Sequence, residues 1–309
     1  MSKRYITIFL LFSFFALPHL TEAQRWKYVR QEVFVAAGAS NFMGELGGAD
    51  KVGSNFVSDF EISMTRPAFS AGYRYRLLEY LSLRGQLAYA RLAGNDNATN
   101  QINRRNRNLH FRSPLVELSA IGEFYFVKES TGNVYRLRGV RGGGSFNISA
   151  YAFAGISGIY FNPRGRRDGE WHSLQPLGTE GQGLPGQPGK YSRISFAIPF
   201  GLGCKYVLDR NWSIGLEYGL RKTFTDYIDD VSTNYYDNDA LRLQNGDIAA
   251  DLADPNLNLV GDNGDIGDGI FVTAQGQPRG DSKDKDAYMM LMFTLNYKFL
   301  KGKRNRPKF

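Results

Sequence analysis

The sequence predicts an all-β fold: an eight-stranded antiparallel transmembrane β-barrel, with long loops at one end and short turns at the other. Three observations predict it. Apolar side chains alternate with small or polar ones at a strict two-residue period in one segment after another. The connections between those segments alternate between short and long. After the N-terminus no stretch reaches the roughly 18 apolar residues of a transmembrane helix. Composition agrees, since 22 Phe, 18 Tyr and 35 Gly with a mean hydropathy of −0.36 suit strands and turns rather than apolar helices.

Residues 1–23 read as a signal peptide, with a basic start at Lys3 and Arg4, an apolar stretch from Ile6 to Leu17, a break at Pro18 and small residues around Ala23. The barrel is expected over 24–300, followed by a basic tail over 301–309. A first strand falls near Val33–Phe42. The second sets Phe69, Ala71, Tyr73 and Tyr75 on one face against Ser70, Gly72, Arg74 and Arg76 on the other. The third sets Leu81, Leu83, Leu87 and Tyr89 against Ser82, Arg84 and Gln86. The fourth carries Val116, Leu118, Phe124 and Phe126, with Glu117, Ser119 and Glu123 opposite. The fifth spans Ile148–Phe161. The sixth is the clearest, with Ile194, Phe196, Ile198, Phe200, Leu202, Cys204 and Tyr206 facing away from Arg193, Ser195, Gly201, Gly203 and Lys205. The seventh runs from Trp212 to Leu220 with Glu217 and Arg221 on its other face, and the eighth from Ala287 to Phe299.

An eight-stranded barrel has an interior just wide enough for side chains to fill. Large apolar groups from every strand would overfill it, so that face must meet lipid and the face of Gly, Ala, Ser and charges must line the lumen. The lumen charges have both signs: Arg74, Arg76, Arg84, Arg193, Lys205 and Arg221 against Glu117, Glu123 and Glu217. Buried charges need partners. The expectation is therefore an internal salt-bridge network and no open pore. Aromatic girdles are expected from Tyr89, Tyr160, Tyr191 and Tyr288 at the outer end and from Phe126, Tyr206, Trp212 and Phe299 at the inner end.

A net charge of +8 raises the question of nucleic acid, but the charges are segregated. Residues 229–286 hold thirteen Asp, no Glu and four basic residues, a net −9 that leaves +17 elsewhere. Six of the last twelve residues are basic. Two chemically different ends do not make one phosphate groove, and no nucleic-acid partner is expected. With the termini and short turns in the periplasm, the tail residues Lys301, Lys303, Arg304 and Arg306 fall on the same side as Arg136, Arg138 and Arg141 of the long inner turn. These are candidates for docking a periplasmic partner.

Chemistry-bearing motifs are thin. The lone Cys204 excludes an internal disulfide framework. Beyond the leader only His110, beside Ser113, and His172, beside Ser173 and Glu170, raise a hydrolase reading, and neither specifies a triad. The run Asp262-Asn263-Gly264-Asp265-Ile266-Gly267-Asp268 has oxygen ligands at short spacing but lacks the bidentate Glu of a calcium loop. Arg279-Gly280-Asp281 matches a short adhesion tripeptide. The reading is of a non-enzymatic barrel with no cofactor and no metal, and outer-membrane lipid as its surroundings.

Several segments resemble one family: Arg107–Leu109 leading into Phe111–Leu115, then Gln175–Gly183, Ile198–Gly203, the run from Gly219 to Tyr235, and Arg279–Asp281 before the last strand. Together they resemble the PorG-like outer-membrane barrels of gliding and related bacteria, which share the OmpA-like architecture. The resemblance covers nearly the whole mature chain and is most specific between Gly219 and Tyr235. It implies a component of the type IX protein secretion and gliding motility machinery. In that role the barrel holds a periplasmic ring complex, including a lipoprotein, at the outer membrane. The alternative is a general structural or adhesive barrel acting through its acidic loops, 237–277.

Overall fold

Strand formation here follows from the contrast between lipid and lumen, and the computed structural model, which describes residues 29–44, 46, 64–98, 102–129, 147–257 and 273–300, shows that contrast directly. Barrel strands are β1 (Gln31–Met43), β2 (Arg66–Arg76), β3 (Leu81–Asn95), β4 (His110–Val127), β5 (Ile148–Phe161), β8 (Ile194–Val207), β9 (Trp212–Thr223) and β10 (Ala287–Phe299). Each pairs antiparallel with its neighbours. The β1–β10 and β3–β4 ladders close the sheet on itself, so no edge remains to be satisfied in lipid. Outward side chains are bare in the isolated chain, as lipid contacts must be: Leu118 is 67%, Ile156 70% and Phe196 68% exposed.

Glycine on the inner face makes room for the large groups of the lumen. Gly201 and Gly219 pair across β8 and β9, and the ring of Phe153 lies against both. A Cβ on Gly201 would sit 2.7 Å from Phe153 Cζ and 2.7 Å from Gly219 Cα. Gly201→Val should therefore cost about 1–3 kcal/mol by overpacking, read as a lower urea midpoint for the heat-modifiable folded band on electrophoresis.

Short turns at 77–80 and 208–211 close one end. At the other end, β3 and β4 run well past the lipid-facing alternation. Their pairing continues from Arg91↔Pro114 to Asn95↔His110. Beyond them lie a 3-10 turn at Asp96–Ala98, α1 (Ile102–Arg107), the hairpin β6 (Arg164–Arg167) with β7 (Glu170–Ser173), and the helices α2 (Asn238–Asn245) and α3 (Asp247–Ala253). The β6–β7 hairpin turns through Asp168 and Gly169, both at positive φ (52° and 89°), the pair that a two-residue type I′ turn requires. It joins β4 through the pair Arg112↔Arg164. Helix α2 begins at Asp237, whose carboxylate accepts from Ala240 N at 3.1 Å.

Two of the aromatic residues expected in the outer girdle are elsewhere. Tyr288 is fully buried in the lumen, because its hydroxyl finds Glu117 there. Tyr191 stacks on Tyr227, with ring centroids 4.3 Å apart, and packs on the core. Tyr89 and Tyr160 do stand on the outer surface. At the inner end Trp212, Tyr297 and Phe299 form an edge-to-face cluster, and Tyr206 and Phe126 also stand exposed.

Candidate functional site

The lumen is the first place where a barrel could carry function, and charged side chains fill it. Arg74, on β2, places Nε 2.6 Å from Glu123 Oε2 of β4. It also pairs with Glu32 of β1, and its Nη1 donates to Asn296 Oδ1 at 3.2 Å. Lys205 Nζ donates to Glu32 at 2.7 Å. Arg84, on β3, bridges two carboxylates: Nη1 lies 3.2 Å from Glu123 Oε1, and Nη2 donates to Glu217 Oε1 at 3.0 Å. The hydroxyls of Tyr125 and Tyr151 donate to Glu123 and Glu217 at 2.8 and 2.9 Å. Three cations thus meet three anions in a group joined without a break, so its net charge is zero. Aromatic faces hold the guanidinium groups in place: Arg74 lies 5.1 Å from the Phe34 ring, and Arg84 5.1 Å from Phe153.

A second group lies toward the loops. Arg221 Nε is 3.4 Å from Glu117 Oε2, and Tyr288 donates to the same carboxylate at 2.7 Å. At the short-turn end Glu129 takes Lys298 and, at 3.1 Å, Arg76. The structure thus brings Arg74, Arg84, Glu117, Glu123, Glu217 and Arg221 into ion pairs within the barrel. Sequence reasoning missed Glu32, Glu129 and Lys298. Strand parity carries the first and last of them: Glu32 and Lys298 pair directly across β1 and β10 on the lumen face. Lys298 therefore does not belong with the basic tail. Arg193 does not join the network. It precedes β8, donates to Asn162 Oδ1 at 3.4 Å and lies over the outer Tyr160 ring.

Above the charged layers the lumen turns apolar. Phe42, Leu46, Leu92, Phe111, Phe161 and Met290 form a buried plug with Ile228 and Val231 from the loop after β9. Over the plug, distant loop segments knit into a roof. Glu180 accepts from Ser232 N (2.9 Å), Thr233 Oγ1 (2.6 Å) and Arg279 Nη1 (3.0 Å). The hydroxyls of Thr179 and Tyr191 donate to Asp230. Arg279 also donates to the Asp230 carbonyl, and Arg107 carries α1 onto the Arg279 carbonyl at 2.9 Å. Burial pushes the Asp230 carboxyl up to about 6, against the opposing pull of Arg279 and of the Thr179 and Tyr191 hydroxyls. Helices α2 and α3 cover this roof through Leu241, Ala249 and Ala253 on Leu184.

Other candidate residues take structural places. Arg279 is 2% exposed, so the tripeptide Arg279-Gly280-Asp281 does not offer its arginine to a receptor. His110 Nε2 lies 3.1 Å from both the backbone nitrogen and the carbonyl oxygen of Arg166. Ser113, three residues along the same strand, faces the opposite side and is fully buried. His172 sits on β7 opposite Gly165. The docking candidates Arg136, Arg138, Arg141, Lys301, Lys303, Arg304 and Arg306 lie outside the described residues. So do the leader 1–23 and the Asp262–Asp268 run.

Comparison with known proteins follows the architecture. Residues 7–246 match the family model described as outer membrane protein beta-barrel domain. Among solved structures the chain is similar to Ail, the attachment invasion locus protein of Yersinia pestis, at 9% identity and a TM-score of 0.37, covering 88% of this chain and 99% of that one. It is similar to Neisserial surface protein A at 10% identity and a TM-score of 0.39, covering 87% and 97%. It is also similar to OprG from Pseudomonas aeruginosa at 7% identity and a TM-score of 0.36, covering 88% and 97%. No curated protein matches the sequence. With a closed barrel of eight lipid-facing strands and a family model matching most of its length, this chain belongs to the outer membrane protein β-barrel domain family and resides in the cell outer membrane.

Proposed function

We propose that this barrel is a non-enzymatic anchor of the type IX secretion machinery, holding a periplasmic ring complex and its lipoprotein at the outer membrane. The filled lumen carries the reading. Among the described residues, ion-pair layers and an apolar plug fill the lumen, so the barrel's work falls to its two ends. The segments behind the resemblance to PorG-like barrels support it further. Gln175–Gly183, Gly219–Tyr235 and Arg279 build the roof together, so the likeness is to a whole roofed barrel rather than to scattered strands. The docking surface on this reading comprises Arg136, Arg138, Arg141, Lys301, Lys303, Arg304 and Arg306.

Deleting the gene should block cargo secretion and ring assembly. Reversing the tail charges in a folded barrel should lower ring capture in a pull-down. Normal secretion with an intact ring in the deletion strain overturns the reading. Whatever the partner, the purified barrel should carry no steady ionic current across a planar bilayer.

One observation favours a second reading, an adhesive barrel working through its acidic loops. Helix α2 turns Leu243, 87% exposed, away from the roof. Trimming 237–277 should abolish adhesion on that reading and leave secretion nearly untouched on the first.

A further inference from the structure

One side of the loop-bearing end concentrates arginines without ion partners. Arg91 on β3, Arg112 on β4, Arg164 and Arg166 on β6, and Arg193 before β8 make no ion pair among the described residues. By contrast, Arg74, Arg76, Arg84, Arg104, Arg107, Arg167, Arg221, Arg242 and Arg279 all do. The five lie together. Arg112 pairs across the sheet with Arg164, and Arg91 pairs with Pro114, two residues from Arg112. Arg112 lies 4.2 Å over the Trp171 ring, and Trp171 stands opposite Arg166 on the β6–β7 hairpin.

Two features of the cluster are unfavourable without an anion. Like charges directly opposite each other on one sheet face repel, and Arg112 and Arg164 are so placed. Arg164 Nε is also buried with no hydrogen-bond partner. The hairpin's own acids do not relieve this. Asp168 lies at the tip beside Arg167, 3.3 Å away, and Glu170 stands opposite the same Arg167.

The position of the cluster selects the anion. Tyr89, Val116 and Tyr160 form one outward row across β3, β4 and β5, with Leu87 and Leu118 exposed below it. Tyrosines at this depth mark the boundary of the hydrocarbon. Arg91 lies two residues beyond the row and Arg112 four residues beyond it, about 7 Å and about 13 Å along the strands. Strand tilt brings both nearer the boundary. Arg91 Nε donates to the Tyr89 hydroxyl at 3.2 Å, and Arg193 lies over Tyr160, so the cations are continuous with the interfacial ring. That is the level of the headgroups of the outer leaflet. Guanidinium groups bind phosphate with paired donors.

We propose that Arg91, Arg112, Arg164, Arg166 and Arg193 form a docking surface for the phosphorylated headgroup of an outer-leaflet glycolipid. Trp171 and Tyr160 lie flat against its cations and its sugars. Bound there, the lipid would relieve the Arg112–Arg164 repulsion and fix the β6–β7 hairpin against the membrane, orienting the roof relative to the bilayer plane.

The test uses the full-length barrel, refolded in detergent, with bisphosphorylated lipid A as the probe and the same lipid stripped of phosphate as its control. Binding is read by native mass spectrometry. A near-surface cation contributes roughly fivefold in affinity, so Arg112→Gln with Arg166→Gln should weaken binding about thirtyfold. Arg91→Gln, which leaves the Trp171 hairpin untouched, should weaken it about fivefold. Lys222→Gln, on β9, should leave binding unchanged. Equal binding of the stripped lipid, or undiminished binding by the Arg91→Gln barrel, overturns the proposal. Competition by inorganic phosphate at the lipid's own concentration also overturns it, because it would reveal a free-anion site. Heat-modifiable mobility confirms that each variant is folded. If the double variant fails to fold, the Arg91→Gln result decides.

Discussion

Replacing Arg84 by Ala is expected to destabilise the barrel by about 3–5 kcal/mol. The guanidinium is fully buried and joins Glu123 and Glu217, which approach from β4 and β9. Without it, the hydrogen bond left to Glu217 among the described residues is that from the Tyr151 hydroxyl, and Glu123 depends on Arg74 and Tyr125. Two carboxylates would then face a vacated space lined by Phe34 and Phe153. The cost is mainly that of leaving buried charge uncompensated, so removing a second member should restore much of it. Arg84→Met combined with Glu217→Leu should therefore be clearly more stable than Arg84→Ala alone. Arg84→Lys should fall between, since one ammonium cannot span both acids with the paired geometry of a guanidinium. Urea titration of refolded protein, followed by the folded electrophoretic band, reads all three. A double variant no better than Arg84→Ala would mean that packing around the guanidinium, and not charge pairing, dominates.

What the sequence showed and what it hid divide along the membrane boundary. Wherever a strand faces lipid on one side and a crowded lumen on the other, the two environments impose opposite residue choices, and period two is unmistakable. The same parity places Glu32 and Lys298 in the lumen, but each stands at a strand end where a charge reads equally well as the start of a loop or a tail. Beyond lipid that contrast vanishes. The continuation of β3 and β4 to Asn95 and His110 has no alternating apolar face to announce it. The hairpin at Asp168-Gly169 does carry a local signal, the turn pair of a type I′ connection. The roof carries none. Its bonds join Glu180 to Thr233 and Arg279, far apart in sequence, and many of them end on backbone N–H groups, which no residue pattern marks. Tyr288 shows the same limit within a strand. Its hydroxyl makes it as fit for a headgroup as for a buried carboxylate, and only the position of Glu117 decides.

Arg279→Ala should open the roof while leaving the barrel closed. Arg279 is the cation of the loop network, meeting Glu180 at 3.0 Å, the Asp230 carbonyl, and through Nε the Ala253 carbonyl at 3.3 Å. Its loss leaves Glu180 and Asp230 buried side by side without an opposing charge, a defect of about 3–5 kcal/mol. The strand ladders do not depend on these contacts. The loss should therefore appear as faster hydrogen exchange at 176–184 and 226–235, with β1 and β10 still protected. The same network predicts a pH dependence. Burial raises Asp230 to about 6 from its ordinary 3.8, against Arg279. A carboxyl with a raised native value binds its proton more readily folded than unfolded, so the roof gains stability as pH falls through about 6 and the gain levels off near 4. Protection of 226–235 should rise over that interval, and Asp230→Asn should flatten the rise. A profile in Asp230→Asn identical to the parent would assign the titration to Asp226 instead, which burial also pushes up to about 6. Arg279→Ala extends the dependence to higher pH, because removing the cation raises Asp230 further and makes its charged form still less favourable above neutrality.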